Sequence, residues 1–306
     1  MKTVKKAFTQ TLLELAQSNQ KIFALATDSC GSVTLDDFAR LLPGQFVECG
    51  IAEQDAVGIA AGLSKTGLIP FVCGPASFYA TRAAEQIKVD VAYSHTDVKV
   101  IGVSGGVSYG ALGGTHHAVQ DIALMRAIPG LQVLLPSDAY QMVAMTKALA
   151  QSGEPSYVRM GRGEVPEIYG EDAPFEIGVA NTLTRGNAAA IIACGEMVYP
   201  ALEAAKILAQ MDIFVRVIDM HTIKPLDEST VLSAAETGVV LTVEEHSVKG
   251  GLGGAIAELL AQRHPVKMRI LGLPDETLYS GTNQEVFGHY GLTPEGIAQA
   301  AREAIG

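Results

Sequence analysis

Apolar residues recur at three- and four-residue spacing and then in short continuous runs, again and again along the chain. Val4, Phe8, Leu12, Leu15 and Ala16 share one face of a helix predicted over 2–19, and Ile22 to Ala26 read as a short strand ending at Asp28. The unit repeats, with strands predicted at 45–49, 69–73, 98–104, 131–135 and 156–160 and helical stretches near 53–66, 78–94, 118–128 and 138–151. From Gly163 to Asn187 the periodicity fades and Pro, Gly and acidic residues accumulate. A second set follows, with strands at 188–194, 213–218, 238–244 and 267–273 and helices near 198–210, 228–236, 251–263 and 293–304. Such alternation predicts an α/β fold: a doubly wound, mostly parallel sheet over 1–165, a linker over 166–187, and a second, smaller α/β domain over 188–306.

Composition agrees with two cores, since 306 residues with 48% hydrophobic and 18% charged content are enough to bury both. A formal net charge of −11 disfavours nucleic acid or an anionic membrane as partner, while leaving room for a local basic pocket. Cys30, Cys49, Cys73 and Cys194 lie in or beside apolar runs without paired spacing, so they read as buried, reduced thiols. The basic start, Met1 to Lys6, leads into an amphipathic helix without an apolar signal core, and no run of ~18 apolar residues occurs. A cytoplasmic location is the expectation.

Candidate chemistry centres on Cys49-Gly50-Ile51-Ala52-Glu53-Gln54, where a strand turns through a glycine into a helix opened by a glutamate. A carboxylate there complements the positive end of the helix dipole. Its neighbours are Gly, Ile, Ala and Val, however, so Glu53 is expected to be poorly solvated and suited to proton exchange. In an open parallel sheet ligands bind beyond the carboxyl ends of the strands. The segments there are Asp28–Ser32, Glu53, Phe78-Tyr79 and Ser104–His116. The glycine-rich stretch 104–117 lacks the Gly-Lys-Ser/Thr ending of a phosphate loop and the spacing of a dinucleotide motif. Adjacent His116 and His117 are ill-placed to share a metal, so no metal site is predicted within the chain. Gly102-Val103-Ser104-Gly105-Gly106 matches a nucleophile elbow and would make Ser104 a hydrolase nucleophile, but an elbow needs a helix directly after it and the next ten residues are unpatterned.

Gly50-Ile51-Ala52-Glu53-Gln54, Thr81-Arg82-Ala83-Ala84-Glu85-Gln86-Ile87 and Gly114-Thr115-His116 resemble the pyrimidine-binding half of a transketolase. The resemblance continues through Ile223-Lys224-Pro225-Leu226-Asp227 and Glu244-Glu245-His246 to Gly250-Gly251-Leu252-Gly253, covering almost the whole chain in the family's order. It implies thiamine diphosphate as cofactor, with Glu53 bonding the pyrimidine ring nitrogen, Phe78 or Tyr79 stacking on the ring, and Asp28 nearby. It implies His116 as a contact to a substrate hydroxyl and Lys5, Ser32 and Arg162 as contacts to an anionic sugar end, although Lys5 stands where an arginine is usual. Ser104 replaces the family's histidine, and Ala111 and Leu112 replace its Glu-Asp pair. A sugar hydroxyl facing Leu112 would lose its partner at a cost of roughly 1–3 kcal/mol, so a non-standard sugar is expected.

The family's diphosphate site, a Gly-Asp-Gly motif with Mg2+ (or Ca2+), has no counterpart in the chain. The resemblance therefore implies the C-terminal subunit of a split transketolase. Its partner would be an N-terminal subunit holding diphosphate and metal, in an alpha2beta2 heterotetramer. Deoxyxylulose-phosphate synthase, the beta subunits of oxo-acid dehydrogenases and a non-catalytic regulatory subunit share the layout and remain alternatives.

Overall fold

The computed structural model describes residues 3–306. Thr3 caps the first helix, Val4–Ser18, by accepting the Lys6 amide, and the buried Val4, Phe8 and Leu12 are the apolar face that the spacing predicts. Met1 and Lys2, where the predicted helix begins, lie outside the described residues.

Among the described residues twelve strands form two sheets: β1 (Ile22–Ala26), β2 (Phe46–Glu48), β3 (Ile69–Pro75), β4 (Lys99–Val103), β5 (Gln132–Leu134), β6 (Ser156–Met160), β7 (Asn181–Thr182), β8 (Ala190–Ala193), β9 (Arg216–Asp219), β10 (Thr222–Lys224), β11 (Val239–Ser247) and β12 (Lys267–Leu273). The first sheet has the order β10-β5-β6-β4-β3-β1-β2 and the second β12-β11-β8-β9-β7. Every pairing is parallel except β10 with β5 and β7 with β9. This is the expected α/β architecture, doubly wound because β1 pairs with β2 on one side and β3 on the other. The point where the winding reverses opens a crevice between those strand ends.

Several features depart from the expected elements, among them the short helices Cys30–Val33 and Asp36–Leu41 and strand β7 within the expected linker. The single helix expected over 78–94 is broken into Ala76–Arg82, Ala84–Gln86 and a π-helical stretch, Ile87–Tyr93. A helix over Asn283–Tyr290, closed by a capping box between Thr282 and Glu285, was not predicted. Nor was β10, which leaves the second group of elements to extend the first sheet by an antiparallel edge. The two halves also share one core, since Val100 and Tyr157 of the first sheet cluster with Ile192 and Ile218 of the second. No helix of the described residues is long and apolar enough to cross a membrane.

Candidate active site

The carboxyl ends of β1, β2, β3 and β4 converge on a cavity of about 280 Å3, whose lining includes Asp28, Ser32, Glu53, Phe78, Leu112 and His116. They arrive on four different connections, Asp28 and Ser32 after β1, Glu53 after β2, Phe78 after β3, and Leu112 and His116 after β4, so the sheet brings together what the chain separates. The turns are tight: Gly50 lies at φ +69°, and Asp28 and Ser104 take left-handed conformations that non-glycine residues seldom adopt. Glu48 gathers two of them, accepting from the Asp28 amide at 2.7 Å and the Gly50 amide at 3.1 Å.

Glu53 opens the Glu53–Lys65 helix and is 4% exposed. Arg82 Nη1 donates to both of its oxygens, at 3.1 and 3.2 Å. The same guanidinium lies 3.9 Å from the centre of the Phe78 ring. A flat, cationic hydrogen-bond donor thus rests on the aromatic face and on the carboxylate together. Arg82 is half-exposed, so solvent screens its side of this pair while the carboxylate stays buried.

Phe78 lines the cavity, whereas Tyr79 is fully buried in the core with its hydroxyl 3.4 Å from Thr27. Of the two aromatics considered for stacking, Tyr79 is therefore the wrong one: it has no free face to offer. His116 stands edge-on to Phe78 at 5.4 Å and to Tyr109 at 5.5 Å, with its Nδ1 2.9 Å from the Thr115 hydroxyl. Leu112 exposes 56% of its surface beside it.

Ser104 needs correction as a substrate contact, because at 2% exposure it is buried and lies outside the cavity lining. The hydrolase reading fails with it. No helix follows directly, and among the described residues no histidine hydrogen-bonds its hydroxyl.

Lys5 Nζ donates to the Ser32 carbonyl at 3.0 Å, and Arg162 packs 5.0 Å from the Tyr109 ring. Burial and the neighbouring Arg162 charge push the Lys5 ammonium below the usual lysine range. Among the described residues neither cation has a carboxylate within 4.0 Å. Lys5 thus touches the cavity through Ser32 and Arg162 through Tyr109, while Arg162 itself lines a neighbouring cavity with Ser108 and Glu196.

Sequence reasoning gave no role to Arg82 or Tyr109. Arg82 lies one helical turn beyond Phe78, which was a usable signal. Tyr109 is a lone aromatic in a glycine-rich segment, and only the fold shows that it separates His116 from Arg162.

Residues 1–167 match the family model of the transketolase pyrimidine-binding domain and residues 178–297 that of the transketolase C-terminal domain. The fold and site thus define a subunit of the thiamine-diphosphate-dependent enzymes. Similarity is strong to an apulose-4-phosphate transketolase subunit of Phocaeicola vulgatus, 54% identical over 98% of this chain and 97% of that one. A 6-deoxy-6-sulfo-D-fructose transketolase subunit of a Clostridium species is 38% identical over 98% of this chain and 94% of its own. A solved split-gene transketolase, described as an inactive beta4 tetramer, superposes with a TM-score of 0.92 at 39% identity, covering 99% of this chain and 98% of that one. The chain belongs to the transketolase family and is one subunit, half, of a split transketolase.

Proposed function

We propose that this chain, paired with a separate N-terminal subunit that holds the diphosphate and its metal ion, transfers a two-carbon ketol unit between anionic sugars. The observation that carries this reading is the Glu53–Phe78 pair in one cavity, with two cations, Lys5 and Arg162, each in contact with a residue that lines it, Ser32 and Tyr109. The pair fits the pyrimidine end of thiamine diphosphate, because a flat nitrogen-bearing group, the Arg82 guanidinium, already lies against the same ring and the same carboxylate. When bound, the cofactor supplies the nucleophilic carbon that accepts and releases the ketol unit.

The chain's own residues do the rest. Glu53 holds a proton at the ring nitrogen, and burial of its carboxylate keeps water from competing. Phe78 supports the ring, and Asp28 closes the cavity at the end of β1. His116, held between Phe78 and Tyr109, orients a substrate hydroxyl. Lys5, Ser32 and Arg162 receive the anionic end, and Leu112 presents an apolar wall to the sugar. The substrates named for the two relatives, a sugar phosphate and a sulfo-sugar, are both anionic, and apulose 4-phosphate is the first to test.

Glu53→Gln in the reconstituted enzyme tests this most simply. Removing the acid should lower kcat by roughly 100- to 10,000-fold while leaving subunit association intact. Wild-type turnover by the glutamine variant would sink the assignment.

A further inference from the structure

The C-terminal domain reaches the cavity without lining it. Three consecutive residues at the end of β11 grip the first domain. Glu245 Oε1 accepts the Val107 amide at 2.7 Å, His246 Nε2 lies 3.3 Å from the Ala123 amide, and the Ser247 amide donates to the Val119 carbonyl at 2.9 Å. Val107 and Val119 are the two necks of one loop, and Tyr109, Leu112 and His116 lie between them. Gly106 and Ala118 tie the necks together by paired amide bonds of 3.0 and 2.8 Å.

The fit around Glu245 is close on every side. A Cβ at Gly106 would lie 2.1 Å from its Cδ, and one at Gly105 would lie 2.1 Å from Arg159 Nε. Arg159, on β6, donates to the Glu245 backbone carbonyl at 2.7 Å and faces its carboxylate at 3.4 Å. A backbone that tolerates no extra atom cannot drift, so the Val107 bond fixes the loop's position as well as its direction.

We propose that Glu245 is a positioning residue for sugar turnover: through the Val107 amide it sets the loop that places Tyr109, Leu112 and His116 against the substrate. This rests on the transketolase reading above for its catalytic consequence, though not for its mechanics. The carboxyl has no need to be ionised for this task. Arg159 is the one guanidinium facing the buried carboxyls of Asp121 and Glu245, and burial pushes both Glu245 and the nearby Glu196 upward. A neutral oxygen that accepts the Val107 amide suffices.

The test uses the enzyme reconstituted from this chain and its partner subunit, with three variants. Glu245→Ala removes the acceptor, Glu245→Asp withdraws it by one methylene, and Glu245→Gln keeps it without charge. Alanine and aspartate should lower kcat/KM for the sugar by roughly 10- to 100-fold, chiefly through KM. Affinity for thiamine diphosphate should stay within about twofold, because Glu53 and Phe78 sit on elements that Glu245 does not hold. Glutamine should recover kcat/KM to within about threefold. Amide hydrogen exchange across 105–118, measured on the free chain, should speed up in alanine and aspartate only.

Wild-type kcat/KM and exchange in alanine and aspartate would overturn the proposal, as would cofactor affinity falling as far as sugar turnover, or glutamine behaving like alanine. If alanine does not fold, aspartate against glutamine decides it. Because exchange is read without sugar or partner, the predicted exchange shift in a chain whose wild-type complex is inert on sugars would support the mechanical link and count against the transketolase reading instead.

Discussion

Leu112 stands half in the open beside His116 in the cavity wall. An apolar side chain there cannot pair a sugar hydroxyl, which penalises any substrate that puts one against it. Leu112→Asp should therefore raise kcat/KM for ordinary ketose phosphates relative to the native sugar by roughly tenfold to a hundredfold, read from competing substrates in one assay. An unchanged ratio would mean that the sugar does not face this wall. The strand-end residues Asp28, Ser32, Glu53 and His116 were legible in the sequence because strand ends are where such a sheet binds ligands. The choice between Phe78 and Tyr79 was not. Both sit in the first turn of one helix, and its rotation is set where the Tyr79 hydroxyl reaches the distant Thr27 and where Gly74 leaves room for the Tyr79 ring, which a Cβ would meet at 2.5 Å. Arg82 was missed in part for a similar reason, since its contact with Glu53 depends on how two helices approach, although its contact with Phe78 lies within one helix.

At the scale of elements, what the pattern could not show is how the two alternating sets engage. β10 is three residues long and pairs antiparallel at an edge, too short for periodicity to register. A buried cluster near it joins the halves. The Asp219 carboxylate, at the end of β9, accepts from Ser137 at 3.1 Å and Gln141 at 2.7 Å beside the Ala139–Ser152 helix, and from the Tyr169 hydroxyl at 2.7 Å. Burial outweighs these donors and pushes Asp219 up to about 6. A carboxyl raised in the folded state holds its proton there after the unfolded chain has released it. Stability is then lost as pH rises from about 4 to about 6, and levels off above that window. Asp219→Asn cannot titrate, so its unfolding free energy relative to wild type should move in its favour by about 2 kcal/mol between pH 4 and pH 6.5. Denaturant unfolding at the two pH values checks this, and a constant difference would mean that Asp219 is not raised.

For the whole molecule, an acidic chain of net charge −11 sets two cations, Lys5 and Arg162, near each other and against residues that line one cavity. Such cations are what an anionic substrate needs, and average composition could only leave room for them. The absence of a Gly-Asp-Gly motif was legible at once and motivates the claim that this half requires another. The most direct test mixes the purified chain with its N-terminal partner in varied ratio, with thiamine diphosphate and Mg2+, and measures two-carbon transfer from apulose 4-phosphate and a panel of sugar phosphates and sulfo-sugars. The account predicts no transfer by either chain alone and activity that rises linearly until the two are equimolar. Turnover by this chain alone, or an inert equimolar complex across the panel, would contradict it.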